Sequence, residues 1–551
     1  MFDLVIRGAT VYDGSGGPGT AADVAVRDGC IGEVGRVTGS ARHSVDAAGL
    51  ALMPGIIDLH THYDAQITWD PTLSPSPALG VTTAVMGNCG FGIAPCPARL
   101  RDTMLKNLSV VEAMDLQALT TGVRWEFESF AEYMGLLRRA RPYANVAVLA
   151  GHSCIRTAVM GEEASLRAEP TEAELARMRE LLHEPMAAGA IGFASSFSPN
   201  HSGYAGRPMP STITSEEELR ALVGVLGEAG RGVFVMATGA RATPDLMESM
   251  AAGTGRPMFI VTVLTMYNRA EPERSTRYYQ RVADALDRGR EVYIQTSCQP
   301  LSFDFTLRDP YPLQSHDAFD RVKSAAPEAL PAIYADPAFR RRFRENLRHP
   351  RTGILFYGDW DTIEVDDASV GARARAAGRD PLDFFFDLAL EEGLATQFVG
   401  KFFQNDDAGV APLLQHRAGV IGLSDAGAHL IFMCDAGFGL HFLRHWVRET
   451  GAFTLQEGVR RLTSDAADKY RIPGRGRIAP GAWADLLLFD PATVGVSGLQ
   501  RAADLPGGGR RMIRRSQGVH GVWVNGVQVH DGRDYVALSA GPGAVLDRFD
   551  S

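Results

Sequence analysis

Two short apolar runs, each stopping at side chains that bind metals, constrain this chain more than anything else in it. The first, Ile56-Ile57, stops at Asp58-Leu59-His60-Thr61-His62. The second, residues 81–86, stops at Gly87-Asn88-Cys89-Gly90. Alternate residues of a strand share a face, so His60 and His62 project together. Two neighbouring buried strands would deliver both imidazoles and the Cys89 thiolate to one sheet edge. Imidazole and thiolate suit a borderline-soft cation such as zinc. Histidine pairs at this spacing arise in strands by chance. The place of this one, after an apolar strand and with a cysteine closing the next, favours a metal.

The same rhythm runs on through the middle of the chain. Strands are read at 145–150, 190–195, 232–237, 258–264, 291–297 and 420–423, and amphipathic helices at 171–188, 215–229, 244–252 and 276–288. The helix at 215–229 opens with Ser215 and Glu218 in capping-box spacing. The last strand runs into Ser424-Asp425-Ala426-Gly427. Eight strands alternating with helices, polar at their carboxyl ends, predict an α/β fold, a (β/α)8 TIM-like barrel with its site on the C-terminal face. Residues 299–418 break the rhythm and are rich in arginine, proline and aromatics. They are read as an insertion forming a wall or lid. Its basic run at 339–348 is read as a solvated helix face.

Both ends of the chain are strand-rich. Short strands are read at 2–7, 22–26 and 31–34, and again at 486–490. A hairpin at 519–530 turns at Asn525-Gly526, the pair that suits a type I′ turn. The 551 residues exceed one ordinary core. Residues 1–53 with 476–551 are therefore assigned to a small composite β-sandwich, and 54–475 to the barrel with its insertion at about 299–418.

A net charge of −10 argues against a nucleic-acid partner. Six cysteines without a CxxC pair make no disulfide framework. The opening MFDLVIRGATVYDG is no signal peptide, and no run approaches the roughly 20 apolar residues of a membrane span. The expectation is a cytoplasmic protein acting on a small molecule, without membrane or nucleic-acid partners, with homo-oligomerisation open.

Several segments resemble the amidohydrolase superfamily, and within it the N-acyl-D-amino-acid deacylase (D-aminoacylase) group. They are FDLVIRGATVYDGSG, PGIIDLHTHYD, GVTTAVMGNCGFGIAP, GHSCIRTAVMG, GAIGFASS, GLSDAGAH and GRIAPGAWADLLLFD, which together span nearly the whole chain. The resemblance implies a metal-bearing barrel, hydrolysis of an amide or related C–N bond, and zinc, one ion or two, with another divalent metal open. It carries metal-ligand roles to His60, His62, Cys89 and Asp425, with Cys89 as the bridging thiolate. Many members of the superfamily bridge with a carbamylated lysine instead. Only four lysines are present, and Lys106 alone precedes position 323. Cys89 is therefore the only good bridge candidate, and Cys96, in a Pro-flanked loop, is its weaker rival as a metal ligand. The chain also departs from the pattern. Strands five and six usually end in metal-binding histidines, but Met236 and Ala237 stand at the end of the fifth here and Val263 at the sixth. The remaining set suffices for one metal.

Asp425 is assigned two roles, metal ligand and general base then acid for the attacking water and the leaving nitrogen. His152, Arg156, His201 and His429 are candidates for substrate binding. The Arg156 guanidinium would suit a carboxylate, and His201 could also replace a missing imidazole. Asp64 is read as outer support for an imidazole N–H. The leading reading is metal-dependent hydrolysis of a linear, non-peptide amide on an N-acylated amino acid or related acyl-amine. Two alternatives stand beside it: a tailoring enzyme for cyclisation, elimination or decarboxylation with a reduced metal site, and a non-catalytic binding protein on the same fold.

Overall fold

The structure is a computed structural model describing residues 1–199, 201–239, 241–350, 354–366 and 368–550. The chain divides into two units. The first comprises residues 1–262, 278–298 and 414–551, the second 263–277 and 299–413.

The first unit holds eight parallel strands that are spatial neighbours in chain order. They are β1 (Ile56–Asp58), β2 (Val81–Met86), β3 (Asn145–Gly151), β4 (Gly192–Ser196), β5 (Val233–Ala237), β6 (Met258–Val261), β7 (Val292–Thr296) and β8 (Gly419–Ile421). Beyond β1 and β8 the sheet closes. His60–Thr61 pairs in parallel with Leu423–Ala426. Leu59 N–H donates to Gly422 O at 2.8 Å and His62 N–H to Ala426 O at 2.7 Å. The barrel seam is thus sealed by the residues that flank the H-x-H pair and Asp425. Near-continuous apolar strands are what a sheet buried on both faces requires. Ile57, Leu59, Val85, Leu149, Ala194, Val235, Phe259 and Val420 form one buried cluster. The last residues of the chain join it. Val146 N–H, at the start of β3, donates to Ala544 O at 2.9 Å, and Leu546 N–H donates back to Val146 O at 2.8 Å. Leu546 and Phe549 pack against the barrel cluster.

The helices follow the barrel's alternation. Three lie between β2 and β3, a stretch in which no helix was read from the sequence: α1 (Arg101–Val111), α2 (Leu116–Gly122) and α3 (Phe130–Ala140). Further on, α4 (Glu172–Ala188) starts with a complete capping box of Thr171 and Glu174. In α5 (Glu216–Ala229) only half of the expected box forms. Ser215 accepts from Glu218 N–H, but the Glu218 carboxylate turns inward, for a reason given below.

Both termini enter one sheet, as five strands from residues 2–54 and three from 486–530. Its eight strands are joined by hydrogen bonds and make the separate sheet domain expected from the two ends. It curls so that the start of its edge strand Cys30–Gly35 meets the residues leading into the strand Leu486–Phe489. Ala484 N–H donates to Gly29 O at 2.9 Å, and Ile31 N–H to Ala482 O at 2.7 Å. The Asn525-Gly526 turn has positive φ at both residues, 46° and 78°, as a type I′ turn requires.

The second unit is larger than the expected 299–418 insertion, because it also takes residues 263–277. It has a four-stranded sheet and an aromatic core that includes Phe319, Tyr334, Phe339, Phe343 and Phe386. Its basic helix Pro337–Arg348 is not merely solvated. Arg340 and Arg344 pair with Asp380, Asp383 and Asp387 at the facing helix. Among the described residues no helix is long and apolar enough to cross a membrane.

Candidate active site

At the seam, the residues just beyond β1 bring His60 and His62 and the turn after β2 brings Cys89. His60 Nε2 lies 3.3 Å from His62 Nε2 and 3.6 Å from Cys89 Sγ. Among the described residues these three form the group of ligand-type side chains close enough to share one cation. Asp425, just beyond β8, adds a fourth donor. Its Oδ1 is 3.0 Å from His62 Nε2 and 3.5 Å from His60 Nε2.

The backbone is bent to achieve this. Cys89, Asp425 and His429 have φ of 55°, 57° and 53°. Left-handed backbone at non-glycine residues is costly and gathers at functional sites. Gly87 makes the Cys89 turn possible, since a Cβ there would stand 2.3 Å from Leu149 O. Asn88 ties this turn to β1 by donating to Leu59 O at 3.3 Å and Thr61 O at 3.4 Å.

Each imidazole is oriented from behind. His60 Nδ1 meets Gln295 Oε1 at 2.7 Å, and Gln295 in turn donates to Leu59 O and Tyr470 Oη. His62 Nδ1 lies 3.2 Å from Glu112 Oε1. At His60 this acceptor keeps the ring proton on Nδ1 and leaves the Nε2 lone pair facing inward, whereas Glu112 acts on His62 through its charge rather than through a hydrogen bond. Two imidazoles, a thiol and a carboxylate then converge, with His62 donating toward Asp425 and Cys89. That donor set fits a zinc ion.

The electrostatics agree. Burial lowers the His60 pKa to about 4, with Asp425 pulling the other way. Burial also works against a charged His62, but Glu112 and Asp425 outweigh it and hold this ring well above its ordinary value. Burial pushes the Cys89 thiol up to about 11 against the hydrogen bond from His62. A thiol held this way needs a cation to become a thiolate. Asp425 is driven below the ordinary carboxylate range despite its burial, because His62 bonds to it and His429 and His60 add their fields. Its side chain is 22% exposed and that of His429 19%, against 2% for His60 and His62. The open side of the cluster is therefore the Asp425–His429 side.

The expected substrate residues separate into two groups. His201 and His429 face the cluster. His201 feels the fields of His429, Asp425, His62 and His60, and burial lowers its pKa to about 3. It bonds Ser196 Oγ at 2.7 Å through Nδ1. His429 Nε2 is 3.7 Å from Asp425 Oδ2. His152 and Arg156 are fully buried in a network of their own. His152 spans Ser195 Oγ at 2.8 Å and Glu218 Oε1 at 2.9 Å. Arg156 pairs with Glu218 at 3.3 Å and donates to the carbonyls of Ala164, Pro210, Arg167 and Ala168. Arg156 Nη1 and Nη2 are thus committed to main chain, while Nε faces Glu218 without a hydrogen bond, and both residues sit in a buried network. Glu218 leaves its capping box to serve this network.

Asp64 also departs from expectation. Its carboxylate accepts Gly87 N–H at 3.0 Å, so it braces the Cys89 turn rather than an imidazole. The residues that do brace the imidazoles, Glu112 and Gln295, were missed in the sequence. They meet their histidines across separations that no local pattern encodes. On strands five and six, Met236 is buried in β5 and Ala237 ends it, while the side chain of Val263 lies outside the described residues.

Comparison with known proteins gives the same picture. A family model described as "Amidohydrolase family" matches residues 44–530. The chain is 30% identical to the N-acyl-D-aspartate deacylase of Alcaligenes xylosoxydans xylosoxydans, over 100% of this chain and 96% of that protein. It is similar to the crystal structure of N-acyl-D-glutamate deacylase from Bordetella bronchiseptica, complexed with zinc and a phosphonate mimic of the tetrahedral intermediate. That match has a TM-score of 0.67 at 26% identity and covers 99% of this chain and 100% of the other. A D-aminoacylase structure, from work on its binuclear metal center with one-metal activation and second-metal attenuation, also gives 0.67 at 26%, covering 100% of both chains. The chain belongs to the amidohydrolase family.

Proposed function

We propose that this protein is a zinc-dependent hydrolase that cleaves the linear, non-peptide amide of an N-acylated D-amino acid, releasing a carboxylic acid and the free amine. The observation that carries the reading is the convergence of His60 Nε2, His62 Nε2, Cys89 Sγ and Asp425 Oδ1 on one point, with Asp425 ionised and on the open side. His60, His62 and Cys89 would hold the metal, with Asp425 as further ligand. When bound, zinc supplies Lewis-acid polarisation of the amide carbonyl and acidifies water.

The protein's own groups supply the rest. Asp425 takes the proton of the attacking water and passes it to the departing nitrogen, which must be protonated before the C–N bond breaks. His429 and His201, both held neutral at pH 7 by burial, offer ring nitrogens to the substrate without placing a second charge beside the metal. Strand five brings Met236 and Ala237 rather than imidazole, which favours a one-zinc centre. The relatives lend support to hydrolysis and none to ring closure, elimination, decarboxylation or a non-catalytic role. A cytoplasmic protein without nucleic-acid or membrane partners completes the proposal, supported by six free cysteines and the acidic net charge.

The test combines metal analysis with an assay for free amine from N-acyl-D-amino acids. About one zinc per chain is expected, with loss of activity on chelation. Asp425→Asn should lower kcat about 100-fold or more, and His60→Ala should lose the zinc. Unchanged turnover in either variant would sink the reading.

A further inference from the structure

Glu112 stands where a glutamate ordinarily points into water. It follows α1, and Ala113, with φ of 43°, turns the chain toward α2. Surface-helix junctions favour solvated carboxylates, yet Glu112 is only 3% exposed. Burying a carboxylate is costly unless a partner compensates.

Two contacts, in different directions, account for its position. Its side-chain Oε1 is 3.2 Å from His62 Nδ1, an ion-pair contact that is not aligned as a hydrogen bond. Its main-chain carbonyl accepts the His429 N–H at 2.6 Å. One residue therefore grips an imidazole from the β1 side of the seam and the loop from the β8 side. Resting on the reading of the seam as a zinc site, we propose that Glu112 is a positioning residue that aims His62 Nε2 at the metal while docking the Asp425–His429 loop against it.

The two imidazoles are braced unequally. His60 leans on the neutral amide of Gln295, whereas His62 leans on a carboxylate. A carboxylate beside an imidazole favours the ring proton on its own side by its charge and raises the basicity of the nitrogen that faces the metal. His62 is thus the stronger donor of the pair, and its strength resides in a helix junction 50 positions away in sequence. The carbonyl contact is main chain and survives any substitution at 112, so the side-chain arm can be tested alone.

The experiment measures zinc affinity by competition with a chromophoric chelator, using the full chain as wild type, Glu112→Gln and Glu112→Ala. It also records the melting temperature of each metal-free protein and kcat at saturating zinc. The expected result is affinity weakened about 10-fold in Glu112→Gln and about 100-fold in Glu112→Ala, with the metal-free Glu112→Gln protein melting as wild type does. At saturating zinc, kcat should recover more fully than affinity. Zinc affinities within about twofold of wild type in both variants, whatever happens to melting, would overturn the proposal. Failure of the zinc-site reading itself is separately visible, because the unmodified protein would then take up no zinc.

Discussion

Gly427 shows how little freedom the site's residues have. Its φ is 93°, and a Cβ there would stand 2.7 Å from the carbonyl carbon of His62. The loop carrying Asp425 thus passes directly against the chain carrying the histidines, and only a glycine can lie between them. A few residues away, Asp435 gives a pH-dependent prediction. Burial raises its pKa from 3.8 to about 7, against the pull of Arg514. Between those values the folded state holds a proton that the unfolded chain has lost. Stability therefore falls as pH rises through that window, by at most about 1.4 kcal/mol per unit, and levels above it. Asp435→Asn imitates the protonated acid and should remove the slope. Urea unfolding at about pH 4.5 and about pH 7.5 should find the variant's advantage over wild type growing with pH. His60, His62, Cys89 and Asp425 could be singled out in the sequence because each ends a recognisable apolar strand. Glu112 and Gln295 could not, since what marks them is a partner from another strand. Arg156 stays open in the sequence because a guanidinium after a strand reads the same whether it meets a ligand or four carbonyls.

At the scale of elements, α5 was placed within a residue by its Ser215 cap, whereas the fate of Glu218 was not visible in its spacing. Capping and burial compete for one carboxylate, and burial beside Arg156 and His152 wins. Glu218→Ala would strand a buried arginine and should cost about 3–5 kcal/mol in urea unfolding. If His152 and Arg156 are structural, the folded variant keeps its KM. A raised KM at unchanged stability would return them to the substrate. The helices α1 to α3 went unread because the stretch between β2 and β3 carries several elements rather than the single crossover of an even barrel rhythm. That omission hid Glu112.

Across the whole molecule, the barrel and the terminal sheet are joined by a buried polar knot. Asn145, at the start of β3, donates to Asp485 Oδ2 at 3.1 Å and accepts from Asn525 Nδ2 at 2.8 Å. Arg475 pairs with Asp485, and Asn525 N–H donates to Asp485 Oδ1 at 2.8 Å. Asp485→Ala should destabilise by about 3–5 kcal/mol and lower the melting temperature of barrel and terminal sheet together, as one calorimetric transition. Two separate transitions would show the two parts to be independent. The joining of the two ends was legible from their matching strand signals. The strand order and curl of that sheet were not, because alternation records which face is buried and not what covers it.

The terminal sheet also has a consequence in time. Residues Ala51–Pro54 pair with residues Leu486–Phe489, which are synthesised only after the entire barrel. Until then the early strands present an open edge, the kind of surface on which nascent chains mispair. The barrel floor waits longer still for Leu546 and Phe549. Production of this enzyme should therefore respond to chaperone supply and growth temperature more than its finished stability alone would suggest.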